Sequence, residues 1–159
     1  MSQRLDRLRQ LLQMKQDITQ QAYMELMKTK EQFNQNKLRH EQLVGYRQDY
    51  LKQLEALGNQ GSMVGRLRNR IDFINHLDTA LVQLNGHLAQ LAKARSKAEI
   101  NYNQAKASEE GVAKLIERVI KSEQIKLQRM EQKEIDEYAQ KQWYSKNMNE
   151  QSKNLGEGE

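Results

Sequence analysis

The chain has 159 residues, of which 37% are hydrophobic and 30% charged, with no cysteine and no proline. Its mean hydropathy of −0.97 excludes a large enclosed core and leaves a narrow apolar stripe as the only surface to bury, which suits a coiled coil. Without cysteine there is no disulfide framework and no thiolate metal site, and the net charge of +5 is spread too thinly for the concentrated basic face of a nucleic-acid reader.

With two phenylalanines, one tryptophan and six tyrosines, a β-rich core is not expected. The start, Met1 to Leu8, alternates charge and leucine and has no apolar h-region, so it does not read as a signal peptide. No run of about 18 apolar residues is present to cross a membrane. The expected class is a single all-α domain over 1–144, elongated, made of two long helices and one turn.

The first helix is expected over about 3–57. Alternate steps of three and four from Leu5 give Leu5, Leu8, Leu12, Lys15, Thr19, Ala22, Leu26, Thr29, Phe33, Asn36, His40, Leu43, Arg47, Tyr50, Leu54 and Leu57. Ten of these sixteen are apolar or aromatic, which marks a heptad seam with polar interruptions. Asn36, His40 and Arg47 weaken its middle and restrict its register.

Three of the eight glycines fall in Gly58-Asn-Gln-Gly-Ser-Met-Val-Gly65, so the turn is expected over 58–65. The cluster Arg66, Arg68 and Arg70 follows it and reads as a solvated helix start, with phosphate binding the minor alternative.

The second helix is expected over about 66–144. Its seam opens with six consecutive apolar positions, Ile74, Leu77, Leu81, Leu84, Leu88 and Leu91. It continues through Arg95, Ala98, Tyr102, Ala105, Glu109, Val112, Ile116 and Val119, with the small Ala98 and Ala105 permitting close helix approach. Beyond Val119 the stripe shifts to Ile120, Leu127, Met130, Ile135 and Tyr138, a stutter-like change. Gly111 is expected to mark a bend or a local break. The polar, glycine-ended run 145–159 is expected to be a disordered tail.

Folding at about residue 61 places residue i opposite roughly residue 122 − i, so Leu5 faces about Glu117. The helix beyond about residue 120 then has no partner within the chain. Its apolar stripe can bend back, pair with a second copy or dock on another protein.

Catalytic chemistry is not expected. His76 and His87 are too far apart on a helix to share an ion, no His-x-x-x-His pair exists, and 58–65 lacks the Gly-Lys-Ser/Thr ending of a phosphate loop. The carboxylates are dispersed, and a two-helix hairpin excludes too little water to tune them. The expectation is a non-enzyme with no metal and no cofactor.

Near the turn, Leu43, Tyr46 and Tyr50 share one side of the first helix, and Phe73, Leu77, Ala80 and Leu84 step along the second. The mirror rule brings the two groups together. Tyr50, Leu77 and Leu84 are seam positions. Tyr46, Phe73 and Ala80 lie one step outside it, where aromatic side chains favour an interface.

The run Met130-Glu-Gln-Lys-Glu-Ile-Asp-Glu-Tyr-Ala-Gln-Lys141 resembles the C-terminal signature of the FliJ family of flagellar export proteins. In that signature an (E/D)QK-hydrophobic core leads into DE-aromatic-AQ. Tyr46-x-x-x-Tyr50, and Phe73 followed by Leu77 and Ala80, also resemble the family pattern around its turn.

The resemblance implies an antiparallel two-helix coiled coil similar to the central stalk (gamma) subunit of rotary ATP synthases. It implies a soluble protein that engages the ring of the export ATPase FliI, contacts the cytoplasmic domain of the gate protein FlhA, and handles empty export chaperones. Its place would be the cytoplasmic face of the inner membrane at the flagellar base, with no membrane insertion. By the same resemblance the gate-binding residues are Leu43, Tyr46, Tyr50, Phe73, Leu77, Ala80 and Leu84, where Leu84 departs from a histidine the family can have. The ATPase-facing residues, assigned from architecture, are Leu5, Leu8, Leu12, Leu127, Met130, Ile135 and Tyr138. The alternatives are the injectisome counterpart, a generic coiled-coil scaffold with hydrophobics confined to the seam, and a basic nucleic-acid-binding hairpin centred on Arg66, Arg68 and Arg70.

Overall fold

The structure, a computed structural model, describes residues 2–59 and 64–156. It consists of α1 (Ser2–Asn59) and α2 (Val64–Gly156), packed against each other as an antiparallel two-helix coiled coil. Gly58 and Asn59 close α1, Val64 and Gly65 open α2, and the remainder of the expected turn, 60–63, lies outside the described residues. Two compact units make up the chain. One is Gln13–Glu109. The other joins Met1–Leu12 to Glu110–Glu159.

In Gln13–Glu109 the seam is continuous on both helices. Every position from Lys15 to Leu57, taken in alternate steps of four and three, is buried or half-buried, the polar ones included. The same holds from Ile74 to Glu109 on α2. Leu26 (4% exposed), Ile74, Leu77, Leu84 and Ala98 form the core. Each large aliphatic side chain buried here contributes about 1.5–3 kcal/mol. Ala98 is small enough to bring the backbones together, and Tyr102, one helical turn on, packs against Tyr23 in a tilted ring pair with centroids 5.8 Å apart.

Three polar seam positions are satisfied within their own helix. The buried Thr29 hydroxyl donates to the Leu26 carbonyl at 2.9 Å, Thr19 donates to the Lys15 carbonyl, and the Asn36 amide donates to the Gln32 carbonyl. The two seam arginines reach across to the other helix. Arg47 Nε donates to the Asp78 carboxylate, and the Arg95 guanidinium lies 4.4 Å from the centre of the Phe33 ring. The Arg47–Asp78 pair is more than a third exposed on both sides, so it is a register pin more than a large stabilising term.

These contacts also fix the facing. Tyr50 meets Phe73 where the mirror rule gives 72, and Tyr23 meets Tyr102 where it gives 99. The displacement is always towards a higher number on α2. Helical side chains lean towards their own N-terminus, so in an antiparallel pair two touching tips belong to Cα atoms that both lie further along the chain than the spot they cover.

In the second unit Leu5, Leu8 and Leu12 are half-buried, as are Val112 and Ile120, and Ile116 and Val119 are buried. Arg4 lies in a shallow groove with Leu115, Arg118 and Val119. Glu123 is the last half-buried residue of the seam, and 124–146 are exposed throughout.

Two expectations are corrected. Gly111 does not break α2, which is helical on both sides of it. A lone glycine costs helix stability without forbidding the conformation. The tail expected from residue 145 is helical to Gly156, because 145–155 contain no proline or glycine and polarity alone does not stop a helix. Lys153 in the last turn also complements the helix dipole.

A Cβ built on Gly86 or Gly111 meets nothing within 4 Å. Gly86→Ala and Gly111→Ala should therefore each raise stability, by about 1 kcal/mol. Urea unfolding followed by circular dichroism measures this. A lower midpoint for either variant would refute plain helix at that position.

Candidate functional site

The turn-proximal group is built from one face of each helix in Gln13–Glu109. Tyr46 and Tyr50 are one turn apart on α1, and Phe73 comes from α2. Tyr50 is half-buried and Phe73 is 42% exposed, and their rings stack with centroids 4.5 Å apart and planes 34° from parallel. Tyr46, one turn earlier, is 55% exposed. Its position one step outside the seam leaves the ring unclaimed by α2.

The seven residues of the expected gate-binding set do not make one open surface. Leu77 and Leu84 are core residues, 7% and 9% exposed, because they occupy seam positions opposite α1. They hold the patch in place from beneath and offer no contact area. Leu43, Tyr50 and Ala80 are half-buried at its border, and Tyr46 and Phe73 are the two that stand out.

Beside the Tyr50–Phe73 stack is an open cleft of about 510 Å³, lined by Tyr50, Gln53, Arg66, Asn69, Arg70 and Phe73. The Arg70 guanidinium donates to the Gln53 side-chain carbonyl across the two helices. Two of the three clustered arginines are thus brought beside the aromatics. Sequence reading missed this, although Arg66, Arg70 and Phe73 share one face by their i, i+4, i+7 spacing.

The second candidate surface lies in the other unit, and the structure divides its residues too. Leu5, Leu8 and Leu12 are half-buried in the seam, so α2 already covers much of their surface. Leu127, Met130, Ile135 and Tyr138 are 58–65% exposed on a stretch of α2 that no other described segment covers. Because the helix continues, the apolar series runs on through Trp143, Tyr144 and Met148, each at least 60% exposed. The Trp143 and Tyr144 rings meet edge-on at 5.3 Å, and Gln142 Nε2 donates to the Tyr138 hydroxyl at 2.8 Å. The only tryptophan of the chain was the available signal for this extension.

Among the described residues no group of three or more His, Asp or Glu side chains is placed to hold a metal ion, and no helix is long and apolar enough to cross a membrane. The arrangement is that of an antiparallel two-helix coiled coil with exposed aromatic and apolar side chains on its outer faces.

The family model described as flagellar FliJ protein matches residues 3–148, and the chain belongs to this family. It is accordingly a component of the flagellar type III export apparatus, from a family of non-enzymatic proteins of flagellum biogenesis. No curated protein and no solved structure matches the chain.

Tyr50 and Phe73 form the one aromatic stack next to the cleft. A double-mutant cycle of Tyr50→Ala and Phe73→Ala, read from unfolding free energies, should return a coupling of about 0.5–1.5 kcal/mol. Additive effects would show that the rings do not interact in solution.

Proposed function

We propose that this protein is a stalk-like adaptor that engages the FliI ATPase ring and couples it to the cytoplasmic domain of the gate protein FlhA. In this reading it works at the cytoplasmic face of the inner membrane, without insertion, and also handles empty export chaperones. The observation that carries the proposal is the stretch 124–146 of α2, exposed throughout yet holding Leu127, Met130, Ile135 and Tyr138. At about 1.5 Å per residue it is roughly 33 Å of helix with apolar side chains and no partner among the described residues. It also contains the run Met130–Lys141 that most resembles the family signature. A surface of this kind is suited to burial against another protein.

The gate contact is placed at the turn-proximal patch. Tyr46 and Phe73 supply the exposed aromatic area, Leu43, Tyr50 and Ala80 its border, and Leu77 and Leu84 the support. A generic scaffold would confine its large apolar residues to the seam. The exposed Tyr46 and the Tyr50–Phe73 stack beside the cleft argue for an interface. The match to a flagellar family favours the flagellar role over the injectisome counterpart.

Tyr46→Ala should weaken FlhA binding by about 2 kcal/mol, roughly thirtyfold, with helicity unchanged. Isothermal titration with the FlhA cytoplasmic domain measures it. Wild-type affinity in this variant would remove the patch from the gate contact.

Deleting the chain from Glu123 onward should abolish stimulation of FliI turnover and leave FlhA binding intact. Removing only 145–159 tests whether Met148 and the terminal turns contribute, and should cost much less. A chain cut at 123 that still stimulates like the full protein would show that the overhang is not the ATPase-facing element.

A further inference from the structure

The cleft beside the aromatic stack has a chemistry that the aromatic patch alone does not explain. Arg66, Arg70 and Phe73 form one stripe on α2, and Tyr50 and Gln53 close it from α1. None of the six lining side chains is a carboxylate. Arg66 and Arg70 make no ion pair among the described residues, and the Arg70 bond goes to the neutral Gln53 carbonyl. Two guanidinium groups one helical turn apart, next to exposed ring edges, therefore present unneutralised charge in a concave site. Arginine is the residue whose planar fork matches a carboxylate with two parallel hydrogen bonds.

We propose that this cleft receives an acidic segment of the export gate, an Asp or Glu bound by Arg66 and Arg70 beside an aromatic or aliphatic side chain laid on Tyr50 and Phe73. The proposal rests on the reading that the turn-proximal patch is the gate contact, and it names the chemistry the partner must carry there. A nucleic acid fits less well. Residues 64–78 carry three arginines against two aspartates, and 47–59 carry two basic against two acidic residues, so this end has no extended basic track for a phosphate backbone.

The test uses the full chain and the FlhA cytoplasmic domain, titrated at low and at high salt. Arg66→Gln, Arg70→Gln and the double variant are compared with Arg66→Lys/Arg70→Lys and Arg66→Glu/Arg70→Glu. Tyr46→Ala, outside the cleft lining, reports on the patch itself. Circular dichroism and urea midpoints monitor the fold, and Arg66→Gln removes a side chain for which the structure shows no hydrogen bond. The expected affinity order is wild type, Lys pair, Gln pair, Glu pair. The Gln pair should lose about tenfold at low salt, and its salt dependence should flatten. If the Gln pair binds like wild type with the same salt dependence while Tyr46→Ala weakens binding, the carboxylate site is refuted and the gate contact stands. If Tyr46→Ala and the arginine variants all bind like wild type, the gate-contact reading falls and this proposal with it. If a single-stranded oligothymidine binds the wild-type chain and is lost in the Gln pair while FlhA binding is unchanged, the cleft is a nucleic-acid site and the proposal is overturned.

Discussion

Everything in this protein depends on one constraint: each helix has only one neighbour. A side chain on α1 can be covered from one direction, by α2, and its flanks remain in water. No described side chain is fully enclosed, and Leu26, the most buried, keeps 4% of its surface. The fold is therefore held by a long series of partial burials, each of modest size, and not by a few deep ones. This also explains why polar residues are tolerated along the seam. Thr19, Thr29 and Asn36 each bond to a carbonyl of their own helix, which offsets the cost of partly burying a polar side chain.

The same constraint decides where function can lie. A seam that takes all the large apolar residues would leave nothing for a partner. Here large apolar residues lie off the seam along much of the chain, Leu11, Met14 and Ile18 among them, and two places bear on function. Near the turn, Tyr46 and Phe73 stand one step off the seam and keep about half of their surface. In the other unit α2 continues past the level at which α1 begins, and Leu127, Met130, Ile135, Tyr138, Trp143 and Met148 project from it. Single exposed hydrophobics elsewhere, such as Val82 and Ile100, are ordinary for a protein surface. What marks the two candidate surfaces is what accompanies their exposed apolar residues: a ring stack beside a charged cleft in one, a helix stretch exposed on every side in the other.

Register links the seam to the site. Aliphatic seams tolerate sliding by a heptad, because one leucine resembles another. The cross-helix pairs do not: Arg47 needs Asp78, Arg95 needs Phe33, and Tyr23 needs Tyr102. These pairs place Tyr50 against Phe73 and Gln53 against Arg70, which is what creates the cleft. A slip of one heptad would leave α1 and α2 paired but would separate Tyr50 from Phe73. The polar interruptions of the seam thus protect the geometry of the surface near the turn.

The sequence by itself determined the two helices, their seam and the point where the overhang begins, because helical periodicity and the lack of proline are local properties that a two-helix pairing does not override. Every seam residue from Leu5 to Leu57 and from Ile74 to Val119 is buried or half-buried where the spacing places it. Two things were decided only by the tertiary structure. Leu77 and Leu84 are support and not surface, since the same apolar residue can serve either role and only the facing helix selects one. Arg66 and Arg70 join the aromatic patch, since their partner Gln53 and the ring of Tyr50 come from the other helix. The run of α2 to Gly156 is by contrast a local property, set by the absence of proline and glycine over 145–155, since polar composition describes what a segment can bury and not whether its backbone stays helical.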